Sequence, residues 1–235
     1  MIKDNLVIFA DENLYEKFLL IGADLSELEE ISERIGPVLM IDSVYNKMMA
    51  KLPRIIGSQS EMAWSRLFQI ENRRYTESCA KFSNGAKDQM EAELSVYTAQ
   101  IARCLNLLDK GATSPVDLAI FANALWFGNH SSQVSCVITD DSDLLRFGHL
   151  ISSYCGLPTT MFSVFEILML AGLDSTLAMY CAKYDLPFPD PIENAELMKT
   201  QKLKDDLSKL TRKTMLAFHP TLRKNDSIDL ICKKR

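Results

Sequence analysis

The apolar positions of the chain alternate between short unbroken runs and longer stretches with helical spacing. NLVIFA (residues 5–10), PVLMI (37–41) and VSCVI (134–138) are runs of strand length, and PTTMF (158–162) is a weaker fourth. DENLYEKFLL (11–20) carries acidic residues where a helix should start. In DLSELEEISERIG (24–36), Leu25, Leu28, Ile31 and Ile35 recur at helical spacing before a glycine stop. DSVYNKMMAKL (42–52) predicts a helix capped by Asp42 or Ser43. Residues 58–108 read as helical throughout, two or three helices with a break at NGA (84–86). SPVDLAIFANALWFG (114–128) has a Ser cap, Pro at the first helical position and a Gly end. DSDLLRFGHLISSYC (141–155) and SVFEILMLAG (163–172) predict two more helices.

Strands that alternate with helices predict an α/β fold, a three-layer α/β/α sandwich around a central, mainly parallel sheet. Four or five strands are expected, the first near the middle. The expected organisation is one domain over residues 1–185, with a helical insertion at about 58–108 and a basic extension over 186–235.

Composition narrows the function classes. No apolar run reaches the roughly 20 residues needed to span a bilayer, and the N-terminal apolar stretch is too short and too soon acidic for a signal peptide. The six cysteines are scattered without a Cys-x-x-Cys pair, which speaks against zinc and against a disulfide framework and favours reduced thiols in a cytoplasmic protein. Three dispersed histidines do not make a metal cluster. Residues 199–235 hold eleven Lys and Arg against four Asp, a net +7, so the formal −5 of the chain leaves −12 on residues 1–198. An acidic body with a basic tail can hold cations in one place and an anionic polymer in another.

The acidic residues cluster where such a fold binds ligands, beyond the carboxyl ends of the strands. Asp11 follows the first strand, Asp42 the second, and VITDDSDLL (137–145) puts Asp140, Asp141 and Asp143 after the third. Asp117 falls in the first turn of the helix leading into that strand, where Ser114 is already the expected cap. Carboxylates so gathered suit hard divalent cations, Mg²⁺ or Mn²⁺.

The stretch SPVDLAIFANALWFG…SCVITDDSDLLRFG…LPTTMFSVFEILMLAG resembles the C-terminal half of PIN domains. Asp117 matches that family's Asp at the start of a helix rich in small and apolar residues, and Thr139–Asp143 match its Thr-x-Asp-x-Asp-like strand end. VIFADENLY is similar to the family's opening strand, through Asp11 and Asn13. The resemblance implies a PIN-like, metal-dependent nuclease that hydrolyses phosphodiester bonds in single-stranded RNA or DNA, as ribonuclease toxins of toxin–antitoxin pairs do. It implies Asp11, Asp117 and Asp141 as direct or water-mediated ligands of magnesium or manganese. Asp140 and Asp143 would orient water around them, with Asn13 and Thr139 hydrogen-bonding carboxylates or phosphate. Single-stranded RNA is the expected partner, and a protein partner such as an antitoxin, or a second copy in a homodimer, stays open.

One departure from the family pattern stands out. Where the family has a Glu early in the helix after the second strand, this chain has Asn46 and Lys47, and Asp42 is the nearest candidate substitute. The departure opens a second reading, a catalytically weak or inactive PIN-like module that binds RNA or a protein. A phosphoacceptor receiver domain fits less well, because no Lys follows the last strand. On the insertion, Arg54, Arg66, Arg73 and Arg74 offer phosphate contacts, and Trp64, Tyr75 and Phe82 are either stacking faces or core.

Overall fold

The computed structural model describes residues 6–56, 58–107, 114–131, 133–141, 144–145 and 159–186. The elements run β1 (Leu6–Ala10), α1 (Glu12–Ile21), α2 (Leu25–Arg34), β2 (Val38–Leu39), α3 (Asp42–Ile55), α4 (Ser58–Phe82), α5 (Lys87–Leu107), α6 (Pro115–His130), β3 (Val134–Ile138), β4 (Thr159–Phe162), α7 (Val164–Ala171) and α8 (Asp174–Tyr184). Among the described residues this is an α/β fold of four strands and eight helices. The expected continuation of a helix from Asp141 to Cys155, and the basic extension, lie largely outside the described residues.

The sheet has the order β2-β1-β3-β4, and every pairing is parallel. Every residue of β1 and β3 is buried, which is why both read as unbroken apolar runs rather than alternating ones. The chain leaves β1 toward β2 on one side, then returns past β1 to lay β3 on the other. The order therefore reverses between β1 and β3, the place where open parallel sheets form a crevice at their carboxyl ends. Leu6 pairs with Val134 and Ala10 with Ile138, so the two strands end level with each other. Just beyond them the Asp11 amide donates to the Ile138 carbonyl at 2.9 Å, and the Thr139 amide to the Phe162 carbonyl at 3.0 Å.

Helix α6 is apolar on all sides, with Ile120 to Gly128 all buried. A helix of that kind needs cover all round. It packs on β1, β3 and β4 and is covered from outside by α5. Its start is as the sequence predicts: Ser114 caps it by accepting from the Val116 amide at 3.2 Å, and Pro115 opens it.

The expected insertion resolves into two long helices, joined at Asn84 and Gly85, both at positive φ. That is the break expected at NGA, and the left-handed pair is what Asn and Gly supply most cheaply. The two helices are built into the body. The Tyr75 hydroxyl donates to the Asn123 carboxamide oxygen at 2.8 Å, Trp126 Nε1 to Glu93 Oε2 at 2.8 Å, and Asn72 Nδ2 to the Met40 carbonyl at 3.0 Å. Trp64 and Tyr75 are buried, and Phe82 lies edge-on to Phe127, so these aromatics are core rather than stacking faces for bases. Arg54, Arg66, Arg73 and Arg74 are exposed.

One local expectation fails. The N-cap of α3 is Ile41, and no side chain caps the helix. Asp42 is the first helical residue, and its carboxylate accepts from Asn72 of α4 at 2.8 Å. The long-range partner outcompetes the local amide.

Candidate active site

Asp11 stands at the end of β1 as the N-cap of α1, and its side chain has no solvent exposure. Its Oδ1 accepts from the Glu12 amide at 2.6 Å, and its Oδ2 from Asn13 Nδ2 at 2.6 Å and from the Thr139 hydroxyl at 3.0 Å. Asn13 and Thr139 thus both hydrogen-bond the Asp11 carboxylate. Asp11 is both a helix cap and a fixed buried carboxyl. Burial pushes its pKa up, and the three hydrogen bonds oppose that rise without cancelling it.

Asp141 comes two residues after Thr139. Its amide donates to the Thr139 hydroxyl at 3.0 Å, and its Oδ1 accepts from the Leu144 amide at 2.8 Å. Thr139 therefore ties Asp11 and Asp141 together, donating to one and accepting from the other. Asp117 reaches the same place from the first turn of α6 and is partly exposed. Its pKa is pushed up to about 7, first by burial and then by the charges of Asp11 and Asp141; Lys47 pulls it down and Glu12 pushes it up. Asp11 and Asp141 are thus linked through Thr139 at the ends of β1 and β3, and the charges of both act on Asp117.

The other candidates separate. Asp140 has a different set of partners and is ion-paired with Lys17. Its Oδ1 accepts from the Val164 amide at 2.9 Å and its Oδ2 from the Tyr180 hydroxyl at 3.0 Å. The Lys17 ammonium also lies over the rings of Tyr180 and Tyr184, at 5.3 and 4.9 Å from their centroids. Asp140 thereby fastens α1, α7 and α8 to the end of β3. Asp42 turns toward α4, where it meets Asn72 and its charge is felt by Tyr75 and Cys79. Asp143 lies outside the described residues.

A network of ion pairs between α1 and α3 follows directly on Asp11. Glu12 carries an ion pair with Lys47 through Oε1 and with Lys51 through Oε2, the latter at 3.0 Å, and Lys51 also pairs with Glu16. Behind the pocket, Glu71 is buried, and its Oε2 accepts from the Tyr15 hydroxyl at 2.5 Å. Desolvation pushes Glu71 up to about 8. Its hydrogen-bonding partner is 56 residues away, so only the fold reveals the pair.

The donor set is all carboxylate oxygen, as a hard cation requires. Among the described residues no three Asp, Glu, His or Cys side chains are gathered tightly enough to hold a metal ion directly. The fit is therefore one of ligand type only: Asp11 and Asp141 raise the pKa of Asp117 by like charge, and all three would offer oxygen to a hard cation. Among those residues, too, no helix is long and apolar enough to cross a membrane. Comparison of the chain with known protein families, with curated proteins and with solved structures finds no match.

Proposed function

We propose that the chain is a PIN-like module, a three-layer α/β/α sandwich whose switch-point pocket binds Mg²⁺ or Mn²⁺ and hydrolyses phosphodiester bonds in single-stranded RNA. The layering follows from the strand order. Parallel crossovers are right-handed, so connections running in opposite directions along the sheet lie on opposite faces. What supports the functional reading is that three carboxyls from distant parts of the chain influence one another: Asp11 and Asp141 are linked through Thr139, and both act electrostatically on Asp117. Carboxylates crowded this way cost stability, and a divalent cation relieves the cost.

When bound, the cation would activate water and neutralise charge on the phosphate. The chain's own residues do the rest. Asp11 is held rigid by Asn13, Thr139 and the Glu12 amide. The carboxyl of Asp117 is pushed up to about 7 by burial and by the charges of Asp11 and Asp141, a rise that a bound cation would relieve. Asp140 is spent on Lys17 and Tyr180, so it braces the strand end and does not face the substrate.

A second reading has its own support. Lys47 already brings positive charge to the pocket through Glu12, which suits a catalytically silent module that keeps the fold and binds RNA or a protein partner. Two measurements separate the readings. Under the nuclease reading, millimolar Mn²⁺ raises the melting temperature, and single-stranded RNA is cut in a metal-dependent way that Asp141→Asn abolishes. A cation-dependent shift without cleavage by the wild type favours the silent module, and no shift at all sinks the cation site.

A further inference from the structure

We propose that the wedge between α4 and α5 is a binding site for a small amphipathic cation, an apolar body that carries a primary amine. None of Asp11, Asp117 and Asp141 lines it, and the inference does not depend on the nuclease reading.

The wedge has a structural cause. Two helices joined by a short turn ordinarily pack along each other. Here each arm follows different neighbours: α4 packs on α3, β2 and α2, and α5 packs on α6. The arms therefore part beyond the turn at Asn84 and Gly85, and a cavity of about 370 Å³ is left between them. That lies within the roughly 300–1,000 Å³ of small-molecule sites. Tyr75 and Cys79 line it from α4, Met90 and Leu94 from α5. Tyr75 and Cys79 are buried, but Met90 and Leu94 are only half-buried, so the parted arms leave apolar surface that an apolar body would cover.

The charge of the lining is one-sided. Lys87 and Glu91 pair with each other at 3.7 Å on the exposed rim and cancel. Asp42 is left. Its Oδ1 accepts from Asn72 at 2.8 Å, and no described residue donates to its Oδ2. The Tyr75 hydroxyl is committed to Asn123. Burial pushes the Cys79 thiol up to about 12, against the hydrogen bond from Tyr75 and with the charge of Asp42, so the thiol stays neutral. The uncancelled charge of the lining is therefore one carboxylate beside an apolar floor. An ammonium on an apolar body matches both features, whereas an anion or a wholly apolar molecule matches only one.

The test uses the full chain with methionine labelled isotopically at its methyl carbon, the Met90 signal being assigned through Met90→Leu. Tryptamine is the probe, and tryptophol and indolepropionate are its neutral and anionic controls. Tryptamine is expected to shift the Met90 signal with sub-millimolar affinity and to bind on the order of tenfold more tightly than tryptophol, as a hydrogen bond to a charged group does. Indolepropionate should bind more weakly than either. Asp42→Asn, which keeps an acceptor for Asn72, should remove the preference for the amine. Leu94→Trp should fill the wedge and abolish binding of all three without lowering the melting temperature. Ala80→Phe fills it from α4 should Leu94→Trp not fold. Equal affinity for amine and acid overturns the class of ligand. An amine preference that survives Asp42→Asn, or binding that survives the filling variants, places the probe elsewhere on an acidic protein and overturns the site. A Met90 signal that moves with protein concentration alone, with a dimer in sedimentation, gives the wedge to a second copy and overturns the small ligand. No Met90 shift with any of the three at millimolar concentration overturns the proposal outright.

Discussion

Asp117 and Glu71 are the residues where local physics runs against stability. Asp117 sits beside two like charges, so removing its charge should help the fold and harm the site. Asp117→Asn is expected to raise the melting temperature in the absence of divalent cations, a gain of about 0.5–2 kcal/mol, and to abolish any further rise on adding Mn²⁺. A melting temperature lowered in both conditions would make Asp117 structural. Glu71 gives a pH dependence with a definite sign. Its carboxyl is raised from an ordinary 4.5 to about 8 by burial. The native state therefore holds a proton that the unfolded chain has lost, so stability is full below about pH 4.5 and falls as pH rises toward 8. The raised carboxyls of Asp11 and Asp117 add to that fall. In Glu71→Gln the Glu71 share disappears, and the decline in stability between pH 5 and pH 8, followed by urea unfolding, should flatten by on the order of a few kcal/mol. An unchanged slope would place the proton elsewhere.

The elements show which parts of the fold can be read from local sequence. β1, β3 and the start of α6 were legible because their signals are local: unbroken apolar runs for buried parallel strands, and Ser–Pro for a helix start. The Asn84–Gly85 break was legible for the same reason. The cap expected at Asp42 was not, because Asn72, thirty residues away, takes its carboxylate. The role of Asp140 was not legible either. In sequence it stands beside Asp141 as an expected water-orienting neighbour, yet its partners Lys17 and Tyr180 are 123 and 40 residues distant. Only the fold separates a carboxyl that braces α1, α7 and α8 against the strand end from one that accepts from the Leu144 amide. At the entry to β2 the constraint is backbone proximity. A Cβ on Gly36 would lie 2.5 Å from the Leu6 carbonyl oxygen. Because the Ile8 amide bonds the Pro37 carbonyl at 3.0 Å, that clash would push β2 away from β1. Gly36→Ala should destabilise by about 1–3 kcal/mol, as overpacking against backbone does, and lower the urea midpoint. A midpoint within error of wild type would mean that β2 is held by its side chains alone.

Across the whole molecule the charges are divided. Residues 1–198 carry −12 and residues 199–235 carry +7, within a formal net charge of −5. A carboxylate pocket on an acidic body repels a polyanionic substrate, so a nuclease built this way needs cations elsewhere to retain it. The four exposed arginines near or on α4 offer some, while the lysines at the pocket rim are already paired with Glu12 and Glu16. The tail supplies the largest single excess of positive charge in the sequence. Its leucines at 203, 207 and 210 follow helical spacing in the sequence, with lysines and an arginine between and beside them; these residues lie outside the described ones. If the tail holds a nucleic-acid backbone, each lost contact should flatten the log–log salt dependence of binding to single strands by about 0.7. Truncation after Asn194 is then expected to weaken binding to unrelated single-stranded RNAs by similar factors. Mn²⁺ affinity should not change, because the pocket is formed by β1, β3 and α6. A truncated protein with wild-type RNA affinity and salt slope would move the polyanion contact to the arginines of the helical hairpin. Loss of Mn²⁺ binding on truncation would show that the tail, rather than the sheet edge alone, completes the pocket.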